Sequence, residues 1–159
     1  MDPFHTVFGM IRPMAWRLVK QWVRRSFPTV QTISTQALAD WIDSERRSPI
    51  LIDVRKPAEY QVSHLPEALN LKTVAEIEDR GIEQNTPLVV YCSIGYRSGR
   101  LAEALQSAGY SVLNLEGSVF EWANEGRSLV TCREGRERPT HAVHPYNQLW
   151  GLLLKAARY

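Results

Sequence analysis

The sequence predicts an α/β fold in which a mainly parallel central sheet of about five strands is flanked by helices. Short apolar runs such as Ile50-Leu-Ile-Asp53 and Leu88-Val-Val-Tyr91 have the continuous hydrophobicity of strands buried on both faces. Stretches of helical periodicity separate them, so strands and helices alternate as parallel crossovers require. With 159 residues, 44% hydrophobic and 23% charged, the chain has room for one ordinary domain and short extensions.

Residues 1–27 carry Arg12, Arg17, Lys20, Arg24 and Arg25, with Asp2 as the only acid. Phe4, Val7, Phe8, Ile11, Met14, Leu18 and Trp22 recur at helical spacing and share one face. Pro13 marks either a kink or the first turn of a second helix, and Phe27-Pro28 ends the segment. The core region, residues 28–131, opens with an edge strand over Val30–Ile33 and a helix through Ile42 capped by Ser34 or Thr35. Ile50–Val54 is a buried strand ending in Arg55. A small helix over Pro57–Gln61 precedes a short strand at Ala68–Leu71.

Thr73-Val-Ala-Glu76 is a capping box that opens a helix stopping near Gly81. Strand Leu88–Tyr91 leads through Cys92 to a helix ending at Ala108, with Gly109 past its C-terminus. Val112–Leu115 is a further strand, and Phe120–Ala123 a helical turn before Gly126. In residues 132–159 the charged run Arg133–Pro139 reads as a linker. Gln148–Arg158 reads as a last helix with Lys155 and Arg158 near its C-terminal end.

Cys92 stands where a strand stops and a helix begins, outside the carboxyl end of a parallel strand, the usual ligand side of such sheets. Unpaired amides and the dipole at a helix start favour an anion, and the thiolate is the nucleophilic form of cysteine. Gly95 lets the backbone turn inward. With Ser93, Ile94, Gly95, Tyr96, Arg97 and Ser98 curled around the sulfur, several amides face it or an anionic substrate, and Arg97 adds a planar cationic fork.

These residues resemble the motifs of the rhodanese-like sulfurtransferase family. Leu51-Ile-Asp53-Val-Arg55-x-x-x-Glu59-Tyr60 is similar to that family's D-V-R-x-x-x-E-F/Y segment, and Ser63-His64-Leu65-Pro66-Glu67-Ala68 to G-H-I-P-G-A. Cys92-Ser-Ile-Gly95-Tyr-Arg97-Ser98 resembles the single-domain active-site loop C-x-x-G-x-R-S, and Leu115-Glu-Gly117-Ser118 with Trp122 resembles L-x-G-G and W. The resemblance runs from Pro28 to Val130. Ser63, Glu67 and Ser118 replace family glycines, which bears on turn geometry near the mouth of the site.

The resemblance implies a three-layer rhodanese-like fold and a sulfurtransferase. Its Cys92 would take a sulfane sulfur from a small anionic donor such as thiosulfate, or from a persulfide, and pass it to cyanide or a thiol. A persulfide-carrying protein is a candidate partner, and no metal or organic cofactor is implied. Asp53, Arg55, Glu59 and His64 are expected to hold the site together by pairing and hydrogen bonding rather than to react.

Phosphatases and arsenate reductases of the same fold hold one more residue between cysteine and arginine. Here four residues separate Cys92 from Arg97, which favours the smaller, sulfur-sized loop. The other alternative is a non-transferase binding or scaffold module recruited by its terminal helices. The N-terminal apolar face is expected to pack on the domain or the C-terminal helix. Peripheral contact of residues 4–25 with an anionic membrane surface, or a role as a targeting peptide, is the competing use of the same segment.

A net charge of +2 gives no electrostatic case for nucleic acid. Cys92 and Cys132 are too few for a disulfide framework, and Cys132 reads as an incidental thiol. His141 and His144 lack the nearby cysteines of a zinc set and read as a solvated loop pair. A reactive thiol suits a reducing compartment, so the expected location is the cytoplasm.

Overall fold

Four consecutive buried residues form β4 (Leu88–Tyr91), the middle strand of the sheet. In the computed structural model, which describes residues 3–155 with side chains from Val7 onward, five parallel strands are ordered β1 (Thr32–Ile33), β5 (Val112–Leu115), β4, β2 (Ile50–Asp53) and β3 (Leu69–Asn70). Leu88 pairs with Ile50 on one side and Val112 on the other. Alternate residues of each strand feed opposite faces, as a period of two requires. Leu51, Val89 and Tyr91 enter one core, and Ile52, Leu88 and Val90 the other.

The first core is closed by α2 (Thr35–Ile42) and α6 (Ser118–Asn124), through Leu38, Phe120 and Trp122. The second is closed by α4 (Val74–Asp79) and α5 (Tyr96–Ser107), through Ile77, Leu101 and Leu105. Caps start these helices where the side-chain chemistry predicts. Ser34 accepts from the Ala37 amide, and Thr73 and Glu76 form the reciprocal box. A one-and-a-half-turn helix, α3 (Pro57–Val62), follows the loop after β2.

The N-terminal segment is one continuous helix, α1 (Pro3–Ser26), with Pro13 inside it. Pro13 lacks the amide that would bond to the Gly9 carbonyl, and both residues face solvent, where water can serve that carbonyl. The expectation that its apolar stripe packs on the domain or the C-terminal helix holds only at Trp22, which stacks on Tyr96 of α5 and faces Trp150 near the C-terminus. Trp16, Val23 and Phe27 are buried, whereas Val7, Ile11, Met14 and Leu18 are exposed on the opposite side. The helix is apolar on two sides, and salt bridges of Lys20 with Glu121 and Arg24 with Glu116 select the Trp16 side for the core. The Phe4 side chain lies outside the described residues.

Two expectations for the C-terminal part are also corrected. The charged run read as a linker is an antiparallel hairpin of β6 (Leu129–Arg133) and β7 (Arg136–Thr140). Glu134 and Gly135 both sit at positive φ, as a two-residue type I′ turn requires. The last helix is short, α7 (Gln148–Gly151), and residues 156–158 of the expected one lie outside the described residues. Asn124 ends it: its side-chain amide donates to the Leu153 carbonyl and accepts from the Lys155 amide, both at 2.7 Å. Leu153 and Leu154 are thereby turned into the first core.

Gly99 in α5 supports the ring of Phe27, which follows α1. A Cβ at Gly99 would lie 2.5 Å from the Phe27 ring. Alanine gains about 1 kcal/mol in helix propensity over glycine. Overpacking a filled core typically costs about 1–3 kcal/mol. We expect Gly99→Ala to be destabilising, with a lower Tm in thermal unfolding. A rise in Tm would show that Phe27 is not fixed there.

Candidate active site

The lone cysteine at the end of β4 is almost fully buried, and the turn that follows is folded around its sulfur. Gly95, at φ 109°, is the N-cap of α5, a conformation L side chains rarely adopt. Helix α5 thus begins at Tyr96. The Gly95 amide donates to Cys92 Sγ at 3.1 Å, and the Ser98 hydroxyl donates to the same sulfur at 3.5 Å. Tyr96, Arg97 and Ser98 open α5, where backbone amides lack intrahelical acceptors.

The outside of the loop is fixed by β5 and α6. Asn114 donates to the Gly95 carbonyl at 2.9 Å. The Val119 and Phe120 amides donate to the carbonyls of Cys92 and Ser93, each at 3.1 Å. Ser118 accepts from the Cys92 amide at 3.2 Å and donates to the Leu115 carbonyl at 2.9 Å. The sequence marks Ser118 only as a departure affecting a turn, whereas here it grips the backbone of the nucleophile candidate. Asn114 carries no motif signal, because its role depends on a neighbouring strand.

Arg97 is placed differently from the expectation of a fork open to a donor anion. Its two terminal nitrogens each donate to an oxygen of Glu59 at 2.9 Å, and one also reaches Ser93 Oγ at 3.0 Å. Its guanidinium carbon stands 4.7 Å over the Tyr146 ring. Glu59 is buried and also accepts from the Lys56 amide at 3.0 Å. Burial pushes the Glu59 carboxyl up, but the hydrogen bonds and charge of Arg97 outweigh it and hold the carboxyl below its ordinary value.

Asp53 and Arg55 form a fully buried pair at 2.7 Å, and Arg55 also donates to the Ser63 carbonyl at 2.6 Å. The Asp53 carboxylate further accepts the Arg55 amide at 2.9 Å. The pair holds the turn that carries His64. The His64 Nδ1 lies 2.9 Å from the Tyr60 carbonyl, which can only accept, so Nδ1 bears the hydrogen. The imidazole stacks on the Tyr60 ring at 3.8 Å, and its backbone pairs with Val130. Among the described residues, the hydrogen bonds to Cys92 Sγ come from Gly95 and Ser98, not from His64. Cys132 is exposed on the hairpin, unpaired with Cys92.

Both terminal segments reach the loop, which no local pattern reveals. Trp22 of α1 stacks on Tyr96 at 4.6 Å and 8°, and Trp150 of α7 lies 6.4 Å from Trp22. A cavity of about 600 Å³ lies elsewhere: it opens at the amino end of β2 among Ile42, Ile50, Leu65, Leu69 and Trp122.

A family model described as the rhodanese-like domain matches residues 34–125. A sulfurtransferase of Allochromatium vinosum is 32% identical over 103 residues, covering 64% of this chain and 95% of that one. The probable adenylyltransferase/sulfurtransferase MoeZ of Mycobacterium tuberculosis is 34% identical over 98 residues, covering 59% of this chain. That match spans 25% of the MoeZ length. Among solved structures, a rhodanese-like domain protein from Staphylococcus aureus superposes with a TM-score of 0.56 and 26% identity, covering 65% of this chain and all of that one.

The Glu59–Arg97 pair has a pH signature. A carboxyl held low in the folded state stabilises fully above the unfolded value of about 4.3 and loses that contribution as pH falls through the lower folded value. We expect Glu59→Gln to destabilise by roughly 1–2 kcal/mol at pH 7, a figure reduced because water partly screens Arg97. In urea unfolding, the gap between wild type and variant should narrow progressively below about pH 4. A gap independent of pH would assign it to packing instead.

Proposed function

We propose that this chain, which belongs to the rhodanese-like domain family, moves a sulfane sulfur from a small anionic donor to a thiophilic acceptor through a persulfide on Cys92. The observation that carries the reading is the convergence of the Gly95 amide and the Ser98 hydroxyl on Cys92 Sγ at the head of α5. Two donors on one sulfur, beside the opening amides of a helix, suit a centre that holds negative charge on sulfur before and after transfer.

In the first step the Cys92 thiolate attacks the outer sulfur of thiosulfate. A new S–S bond forms, the donor S–S bond breaks, and sulfite leaves with the bonding pair. In the second step cyanide, or a thiolate, attacks the outer sulfur of the persulfide. Thiocyanate, or the acceptor's persulfide, leaves and the Cys92 thiolate returns. This is double displacement through a covalent intermediate. No proton must be removed by a neighbouring base once the thiol is ionised, in keeping with the absence of His64 from the sulfur's hydrogen-bond partners.

Arg97 acts here as a positioning residue. By binding Glu59 and Ser93 it fixes the two sides of the loop. The acceptor in a reducing compartment is a small thiol or a protein thiol, which leaves carrying the sulfur as its own persulfide.

Three variants test the assignment in a thiosulfate–cyanide assay. Cys92→Ser should lose all transfer, and Cys132→Ser should keep it. Ser98→Ala should lower kcat about five- to ten-fold, the worth of one hydrogen bond to a charged sulfur. Phosphatase turnover by the wild type, with no sulfur transfer, would overturn the reading.

A further inference from the structure

The side of α1 turned away from the domain carries Val7, Met10, Ile11, Met14 and Leu18, all exposed, with Trp22 at its edge against the domain. Met14 keeps 67% and Leu18 61% of their surface, so the domain has no hold on them. From Val7 to Trp22 the stripe covers about 22 Å of the helix at 1.5 Å per residue. A contiguous apolar strip of this length on a surface helix marks a contact site.

The charges say what covers it. Residues 3–26 contain Arg12, Arg17, Lys20, Arg24 and Arg25 and no acidic residue. Three of the five are turned to the domain: Lys20 to Glu121, Arg24 to Glu116, and Arg12 to the Leu152 carbonyl. Arg17 and Arg25 are exposed and form no ion pair among the described residues, and both project from the apolar half of the helix. A second copy of α1 laid on the stripe would bring no carboxylate to meet them. A sheet of anionic headgroups over hydrocarbon meets both the arginines and the stripe.

We propose that α1 lies on an anionic bilayer surface, with Val7, Met10, Ile11, Met14 and Leu18 at the acyl boundary and Arg17 and Arg25 among the headgroup phosphates. Trp22 fits the interfacial end of such a contact, being amphipathic and half exposed. It also stacks on Tyr96 of the Cys92 loop, with Arg100 5.7 Å over the other partner of that stack. Bilayer contact therefore brings the mouth of the loop to the membrane surface. No helix among the described residues is long and apolar enough to cross a membrane, so the contact is peripheral. This inference is independent of the reaction that Cys92 performs.

The test is flotation of the full chain with vesicles of pure phosphatidylcholine or with phosphatidylglycerol added, at low and high salt. Binding to the phosphatidylglycerol vesicles at low salt is expected, weakened by salt and by pure phosphatidylcholine. Met14→Glu combined with Leu18→Glu should reduce partition at least about ten-fold, since both side chains would otherwise enter the acyl boundary. Both sites are solvent-facing, and an unchanged Tm would confirm folding. Arg17→Gln and Arg25→Gln should each reduce partition about five-fold. Absence of flotation with phosphatidylglycerol vesicles, or flotation indifferent to the glutamate pair, would overturn the proposal. So would a dimer in sedimentation velocity that the glutamate pair dissolves and that does not float.

Discussion

The conversion of β4 into α5 at Gly95 governs the arrangement of the rest. A strand leaving the sheet must reverse within three residues, Cys92 to Ile94, to seat a helix back on the same face. The left-handed φ of Gly95 makes that reversal and points its own amide at the sulfur behind it. Any side chain there would strain the turn. The surrounding contacts serve this reversal: Asn114 holds the Gly95 carbonyl, and α6 holds the backbone of Cys92 and Ser93.

Two ion pairs, one buried and one half-buried, frame the turn from the other side. Asp53 with Arg55 is wholly enclosed and clamps the Ser63 carbonyl, while Glu59 with Arg97 ties α3 to α5 across the loop. Buried pairs contribute little net stability, because desolvation offsets most of the attraction. Their value here is geometric. Each removes one wrong arrangement of a loop, since separating the partners would leave a charge enclosed and unpaired.

The sheet and its helices were legible because burial on two faces leaves unbroken apolar runs, as in Leu88–Tyr91, and because Thr73 and Glu76 declare a cap. The position of Cys92 followed from the same boundary. Contacts made across the fold were not legible. Arg97 was assigned to an anion, because nothing local shows that Glu59, 38 positions away, occupies its fork. The hairpin was hidden because β7 is exposed along most of its length and therefore lacks alternation. In α1 the apolar stripe was visible, but Trp16 and Val23 form a second, sparser face, and only packing decides between two such faces.

The terminal segments thus bear on the loop rather than merely decorating the domain, since Trp22 and Tyr146 rest on Tyr96 and Arg97. What gives the arrangement its purpose is the sulfur that Gly95 and Ser98 address. Intact-mass and peptide mass spectrometry after exposure to thiosulfate, under non-reducing conditions, reads that purpose directly. The account predicts one added sulfur atom on the peptide bearing Cys92, discharged by cyanide. An unmodified Cys92, or sulfur gained on Cys132 alone, would contradict it.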